Sequence, residues 1–308
     1  MGLKKFLKPD WKKILITILM GILILLIILV SGFVINTNGL IGYWRLEEGS
    51  SSPVDYSGEG NDGTLRGGLD CSGNIGRFGN ACEFDGSDDY ISMGSPTVLN
   101  MNIRDFAVEA WFKTSRKTFQ SNSQLNIITK ATHSMPWIYY NLFINSDGTK
   151  NQGNISIKVR NGAVMVTASS QTYYNDGEWH HTVGVREGDN LKLYVDGELV
   201  KTETGAGNIN VDNNGNFVIG SNSLADSSYF DGIIDEVRIW NRALTPDEIK
   251  KLYELRLTLF YQLRFFKDPL FLFSTVSVLV ICYYLFSCSI VWIYKKNKRS
   301  RKSYEEFN

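Results

Sequence analysis

The sequence predicts an all-β domain, an antiparallel two-sheet sandwich, flanked by two transmembrane helices. Three observations carry this expectation. Short apolar stretches separated by Gly, Asn, Asp and Ser clusters recur through the middle of the 308-residue chain. Within them apolar and polar residues alternate with the period of two of a strand. At either end lies an uncharged apolar run, residues 14–35 and 269–294, long enough to cross about 30 Å of hydrocarbon as a helix.

The flanks of these runs set an orientation. Lys4, Lys5, Lys8, Lys12 and Lys13 precede the first; Lys295, Lys296, Lys298, Arg299, Arg301 and Lys302 follow the second. Basic residues stay on the cytoplasmic side, so segments 1–13 and 295–308 are expected inside and the middle domain outside, in a cell membrane. Val30-Ser31-Gly32 also offers small residues where a signal peptidase cuts. Both readings stand at this point: retained anchor, or cleaved signal with an outer N-terminus. The whole chain carries no formal net charge, with 32 basic and 32 acidic residues, yet the two tails take 11 of the basic ones and only Asp10, Glu305 and Glu306 of the acidic ones. The remainder is acidic and has no electrostatic footprint for nucleic acid.

Between the runs, strands are expected over residues 41–46, 81–84, 90–93, 106–112, 125–130, 139–145, 155–160, 164–168, 180–186, 191–195, 199–202, 217–220 and 232–240. In the fourth, Phe106, Val108, Ala110 and Phe112 face one way and Glu109 and Trp111 the other, as in a sheet covered on one face. Asp196-Gly197, between LKLYV and ELVKT, supplies the positive φ angles of a tight hairpin turn. The one clear helix starts at Thr245-Pro246-Asp247-Glu248, where Thr245 can cap, Pro246 suits the first helical position and Glu248 can close a capping box. Residues 256–268 mix aromatics with Arg264 and Lys267 and read as a juxtamembrane amphipathic helix. The sandwich is thus expected over 39–255. Of the four cysteines, Cys71 and Cys82 fall in this outer domain, where oxidation is permitted, and are expected to form a disulfide; Cys282 and Cys288 lie in the second apolar run.

Several motifs resemble a known family. GYWRLEEG (42–49), DYSGEGNDG (55–63), FDGSDDYI (84–91), WHHTVGVREGDNLKLYVDGELV (179–200) and FDGIIDEVRIWNRALTPDEI (230–249) are similar, in this order, to the laminin-G-like jelly-roll domains of the concanavalin A-like lectin/glucanase group. That resemblance implies a jelly-roll sandwich, and it implies a binding scaffold attached to many functions. It also implies a calcium ion between the early Asx-rich loop and the last strand, with Asp55, Asn61, Asp62 and Asp235 as ligands. Alternation puts Asp235 on the face of Ile233, Val237 and Ile239, where an unpaired carboxylate is costly. Without a metal, Asp235 would instead cap backbone amides or pair with Arg45. The acidic cluster that pentraxins use for ligand-binding calcium is here SNSLADSS, with Asp226 alone.

His180 and His181 occupy strand positions that the family uses for packing. The catalytic E-x-D-x-x-E or E-x-D-x-E run of the glucanase members is absent, so no enzymatic activity is expected. Trp111, Trp137 and Tyr139 are the candidates for stacking against sugar rings, or else they cover a sheet face. Asn154 heads an N-I-S glycosylation sequence. The function expected is a membrane-anchored extracellular recognition protein that binds a glycan or a surface protein without turnover. The alternative is a structural or assembly module of a membrane complex with no soluble ligand.

Overall fold

A computed structural model describes residues 35–49, 52–73, 75–116, 124–132, 134–145, 153–222 and 228–254. They belong to one compact unit, Met1–Leu255; a second unit, Arg256–Asn308, lies outside the described residues. So do the first expected membrane span up to residue 34, the whole of the second, the juxtamembrane stretch, both tails, His133, Asp226, Cys282 and Cys288. Among the described residues no helix is long and apolar enough to cross a membrane.

The described residues form two antiparallel seven-stranded sheets packed face to face. The first runs β1 (Leu40–Trp44), β14 (Asp231–Trp240), β5 (Phe106–Lys113), β10 (Trp179–Glu187), β11 (Asn190–Val195) and β12 (Glu198–Thr204), with β3 (Cys82–Asp85) also paired to β14. The second runs β2 (Thr64–Arg66), β4 (Tyr90–Ser92), β13 (Phe217–Ile219), β6 (Leu125–Ala131), β7 (Ile138–Ile144), β8 (Asn154–Asn161) and β9 (Val164–Tyr173). Strand neighbours far apart in sequence, β14 between β1 and β5, and β13 between β4 and β6, make this a jelly roll and not a string of hairpins. The hairpin at Asp196-Gly197 forms as expected, with φ of 51° and 83°.

Alternation fills the space between the sheets. Phe106, Val108, Ala110 and Phe112 meet Tyr140, Leu142, Ile155 and Ile157 in one core, in which Trp44 stacks on Phe217 at 5.2 Å and Phe106 tilts against Tyr140 at 5.3 Å. Gly184 on β10 has no room for a side chain: a Cβ would stand 2.6 Å from Ile157 Cγ1 across the core. The missing methyl lets the two sheets approach there.

The first sheet departs from the expectation of one covered face. A second apolar cluster of Ala107, Val183, Val185, Tyr194 and Trp240 lies on its outer side, under Leu244, Ile249 and Leu252. The cover is a helix, α1, helical over residues 246–254. Its start is the expected capping box: Glu248 N donates to Thr245 Oγ1 (3.3 Å) and Thr245 N donates to Glu248 Oε2 (2.9 Å). Arg242 forks onto the Glu248 carboxylate at 2.7 and 2.9 Å. These Arg242 bonds, reinforced by Thr245 and Asn36, outweigh burial and hold the Glu248 pKa down to about 2. The chain also arrives on this face: Ile35 packs against the same cluster, and Asn36 Nδ2 donates to Glu248 Oε1 at 3.0 Å.

Candidate functional site

The Asx-rich loop closes on itself. Asp55 Oδ1 accepts from Tyr43 N (3.0 Å) and Ser57 N (2.9 Å), and its Oδ2 accepts from Asn61 N (3.0 Å) and Asn61 Nδ2 (3.1 Å). Asp62 Oδ1 accepts from Asp55 N at 2.8 Å, and the Asn61 carbonyl takes the Trp44 indole N–H at 2.9 Å. Burial pushes the Asp55 carboxyl up, but the donors from Ser57, Asn61 and Tyr43 prevail and hold it below its usual value. A carboxylate offers about four lone-pair positions, and here four N–H groups use them.

Asp235 is elsewhere. A bulge between Asp235 and Arg238, with Glu236 at φ 55°, resets the alternation of β14. Ile234, Val237 and Ile239 face the core, whereas Asp235 pairs in register with Trp111 on the outer side. The expected shared face of Asp235, Val237 and Ile239 is therefore wrong, because a strict period of two does not survive an inserted residue. Asp235 is fully buried, and its Oδ2 accepts from Phe78 N at 3.1 Å. That is the backbone-capping role, and the expected pairing with Arg45 is not formed: Arg45 pairs with Glu47 at 2.7 Å. Asp55 bridges to Trp44 on β1 and so stands across that strand from β14. As arranged, Asp55, Asn61, Asp62 and Asp235 do not fit one calcium ion.

The outer side of the first sheet holds a buried charge network. Glu109 Oε1 accepts from His181 Nε2 (2.9 Å) and Arg238 Nη1 (3.0 Å); Glu236 Oε2 accepts from Tyr43 OH (2.8 Å) and from Arg238 Nη2. Both carboxylates have 0% exposure. Burial opposes the Arg238 charge, but Glu109 and Glu236 overcome it and raise its pKa above the usual value. Beside it lies Trp111, only 1% exposed, stacked on Tyr253 of α1 at 5.7 Å and with Arg77 over its ring at 4.6 Å. The disulfide Cys71–Cys82 forms and closes the loop that carries Arg77 and Phe78. Trp111 therefore stacks inside the protein and presents no ring to a ligand, which corrects its expected role.

The outer side of the second sheet is different. Across the strands, Ala131, Tyr139, Arg160 and Met165 share one row, and Thr129, Asn141, Lys158 and Thr167 the next. Thr129 Oγ1 donates to Asn141 Oδ1 at 3.0 Å, and Asn141 Nδ2 donates to Asn126 Oδ1 at 2.9 Å. Arg160 lies over the Trp137 ring at 5.1 Å and the Tyr139 ring at 6.0 Å; Lys158 lies over Phe143 at 4.8 Å. Trp137 is 47% exposed, and Met135 and Met165 are exposed as well. Trp137 and Tyr139 are thus brought together, and Lys158 and Arg160 join them. The signal for these two cations was the same alternation that places Ile155, Ile157 and Val159 in the core.

Two more positions need stating. Asn154, expected to carry a glycan, is 3% exposed, and its Nδ2 donates to the Ser170 and Thr172 carbonyls. The atom that would bond a sugar is used by β9, so a glycan there is incompatible with this packing. Asp85, Asp88 and Asp89 place carboxylate oxygens within 4.8 Å of one another. Two of the three are occupied by the loop: Asp85 Oδ1 accepts from Ser87 N at 2.8 Å and Asp89 Oδ2 from Asp85 N at 3.0 Å.

A family model described as the concanavalin A-like lectin/glucanases superfamily matches residues 85–250. Adhesion G-protein coupled receptor D1 of Homo sapiens is 36% identical over 103 residues, which is 32% of this chain and 12% of the receptor. Among solved structures, domain 4 of AbnA, an extracellular arabinanase of Geobacillus stearothermophilus in complex with arabinotriose, superposes with a TM-score of 0.55 at 20% identity, covering 70% of this chain and 98% of that domain. The binding domain of Paraclostridial Mosquitocidal Protein 1 gives a TM-score of 0.56 at 14% identity, over 70% of this chain and 52% of that one. The botulinum neurotoxin serotype D binding domain gives 0.54 at 19%, over 71% and 51%. The chain thus spans about half of these toxin domains and a small part of the receptor. At such identities the structural likenesses speak for the fold.

Proposed function

The chain belongs to the concanavalin A-like lectin/glucanase superfamily, and on that premise we propose that it is a membrane-anchored recognition protein whose sandwich binds carbohydrate outside the cell without turning it over. The observation that carries this reading is the outer side of the second sheet. There the rings of Trp137 and Tyr139 stand beside the partly exposed hydroxyl of Thr167 and the side chains of Lys158 and Arg160, over a buried layer in which Thr129, Asn141 and Asn126 bond to one another. Flat apolar faces next to fixed hydrogen-bonding groups suit a sugar, whose ring faces are apolar and whose rim is polar.

The likeness to an arabinanase domain crystallised with arabinotriose supports a sugar, and the likeness to toxin binding domains and an adhesion receptor supports recognition over catalysis. Anchoring rests on the apolar runs 14–35 and 269–294 and their basic flanks. It is also consistent with Ile35 and α1 lying against the same face of the first sheet.

A glycan array probed with the detergent-solubilised full chain, with and without a calcium chelator, tests the proposal. Saturable binding to a defined sugar class that survives chelation supports it. Silence on the array with co-purifying membrane proteins would favour the assembly-module alternative. Release of sugar products would refute the absence of turnover.

A further inference from the structure

Two cations on β8 have no counter-charge among the described residues. Lys158 and Arg160 are alternate residues of one strand, about 6.6 Å apart along it, and both point to the outer side of the second sheet. Neither forms an ion pair among the described residues, whereas Arg116, Lys192, Lys201 and Arg242 each pair with a carboxylate. Arg160 Nε donates to the Gly162 carbonyl at 2.7 Å, and its two terminal amino groups have no hydrogen-bond acceptor among the described residues. Burial, and then the neighbouring Arg160, push the Lys158 ammonium below its usual pKa. Two like charges held side by side among rings, in a domain otherwise rich in acids, are stabilised when an anion joins them.

We infer that Lys158 and Arg160 form an anion-recognising subsite within the sugar-binding surface, and that the ligand is an acidic carbohydrate bearing a carboxylate, such as a hexuronic or sialic acid. The inference rests on the reading of this surface as a sugar site and adds the charge class. Arg160 presents a planar fork that matches a carboxylate, and Lys158 supplies a point charge one row away. Thr167, partly exposed, continues the row of Lys158 and offers a hydroxyl to the sugar, while Thr129 and Asn141 lie buried beneath. Trp137 and Tyr139 flank it with ring faces. A polyanion such as nucleic acid would need a longer basic track than two residues, and the ring faces favour a sugar over a lipid headgroup.

The test is calorimetric titration of the detergent-solubilised full chain with matched pairs that differ in charge alone: oligogalacturonate against its methyl ester, and sialyllactose against lactose. A sulfated heparin fragment and anionic vesicles are further arms. In at least one pair the acid should bind ten-fold or more tighter than its neutral twin, and the advantage should shrink as salt rises. Arg160→Gln and Lys158→Gln should each erase most of that advantage and leave binding of the neutral twin within two-fold, while Trp137→Ala weakens both twins together. Should one variant fail to fold, the other carries the measurement. Equal binding of acid and neutral twins overturns the anionic subsite but leaves sugar recognition standing. Binding of only the heparin fragment or only the vesicles overturns the carboxylate sugar in favour of sulfate or lipid. Absence of binding to every sugar overturns both this inference and the reading beneath it.

Discussion

The outer sides of the two sheets are built on the same pleated backbone and end in opposite states. On the first sheet, α1 and the loop closed by Cys71–Cys82 cover the strands, and the buried charges of the network are paired, Arg238 standing between Glu109 and Glu236, while the His181 ring bonds to Glu109. On the second sheet, Lys158 and Arg160 share a surface with exposed Trp137 and have no acidic partner among the described residues. Charge that is sealed must be neutralised inside the protein, at a cost in desolvation that only good geometry repays. Charge left at a surface stays available to something that arrives. The difference separates a face whose charges are neutralised within the fold from a face that keeps two cations partly exposed beside Trp137.

Breaking the sealed network should have the largest effect. Arg238→Met leaves Glu109 and Glu236 buried without their common cation, and urea unfolding should show a loss of about 3–5 kcal/mol. Replacing Lys158 or Arg160 by Gln should change stability by less than about 0.5 kcal/mol, so comparable losses on the two sheets would dissolve the contrast. Next comes the cover. Cys71→Ser together with Cys82→Ser frees the loop bearing Arg77 and Phe78 and should cost about 2–4 kcal/mol, with Trp111 fluorescence shifting to the red as water reaches the ring.

Two smaller effects depend on pH. Lys130 on β6 is fully buried, with Nζ 2.9 Å from the Gly215 carbonyl, and burial lowers its pKa to about 8 against the weaker opposing pull of Asp212. The unfolded chain therefore holds more protons between pH 8 and about 10.5, so stability should rise with pH across that window and be lowest in this respect below pH 8. In Lys130→Met the rise should vanish; a slope that persists would assign it to another group. Glu248 is the reverse case. Its carboxyl is held down to about 2, so its contribution is complete above about pH 4.5 and is lost as the pH falls toward 2. Glu248→Gln should cost about 1 kcal/mol at neutral pH, near the value of a cap, and should flatten the acid limb of the stability profile.

Much of this fold was legible in alternation and turn chemistry. Phe106 to Phe112 and Ile155 to Val159 fall on the faces their period assigns, and Asp196-Gly197 and Thr245-Pro246-Asp247-Glu248 make the turn and the cap that those residue types favour. The cover on the first sheet was not legible. Trp111 is on the outward side as the pattern says, but whether such a side meets water depends on what lies across it, here Tyr253, distant in sequence. The bulge at Asp235 was hidden for a related reason: a residue inserted in one strand is defined by the register of its neighbours. β2, three residues long, is too short to show a period and went unforeseen. At the candidate site, Trp137 and Tyr139 could be named from their chemistry, whereas Lys158 and Arg160 gain meaning only beside them.

The chain arrives at Ile35 and departs through α1 on one side of the sandwich, where Asn36 bonds to Glu248. A fold whose two ends lie together is a cassette: it can be spliced into a loop of an unrelated host without stretching that host apart. The same property lets the sandwich be exchanged for another of its kind without moving the two points where the chain enters and leaves it.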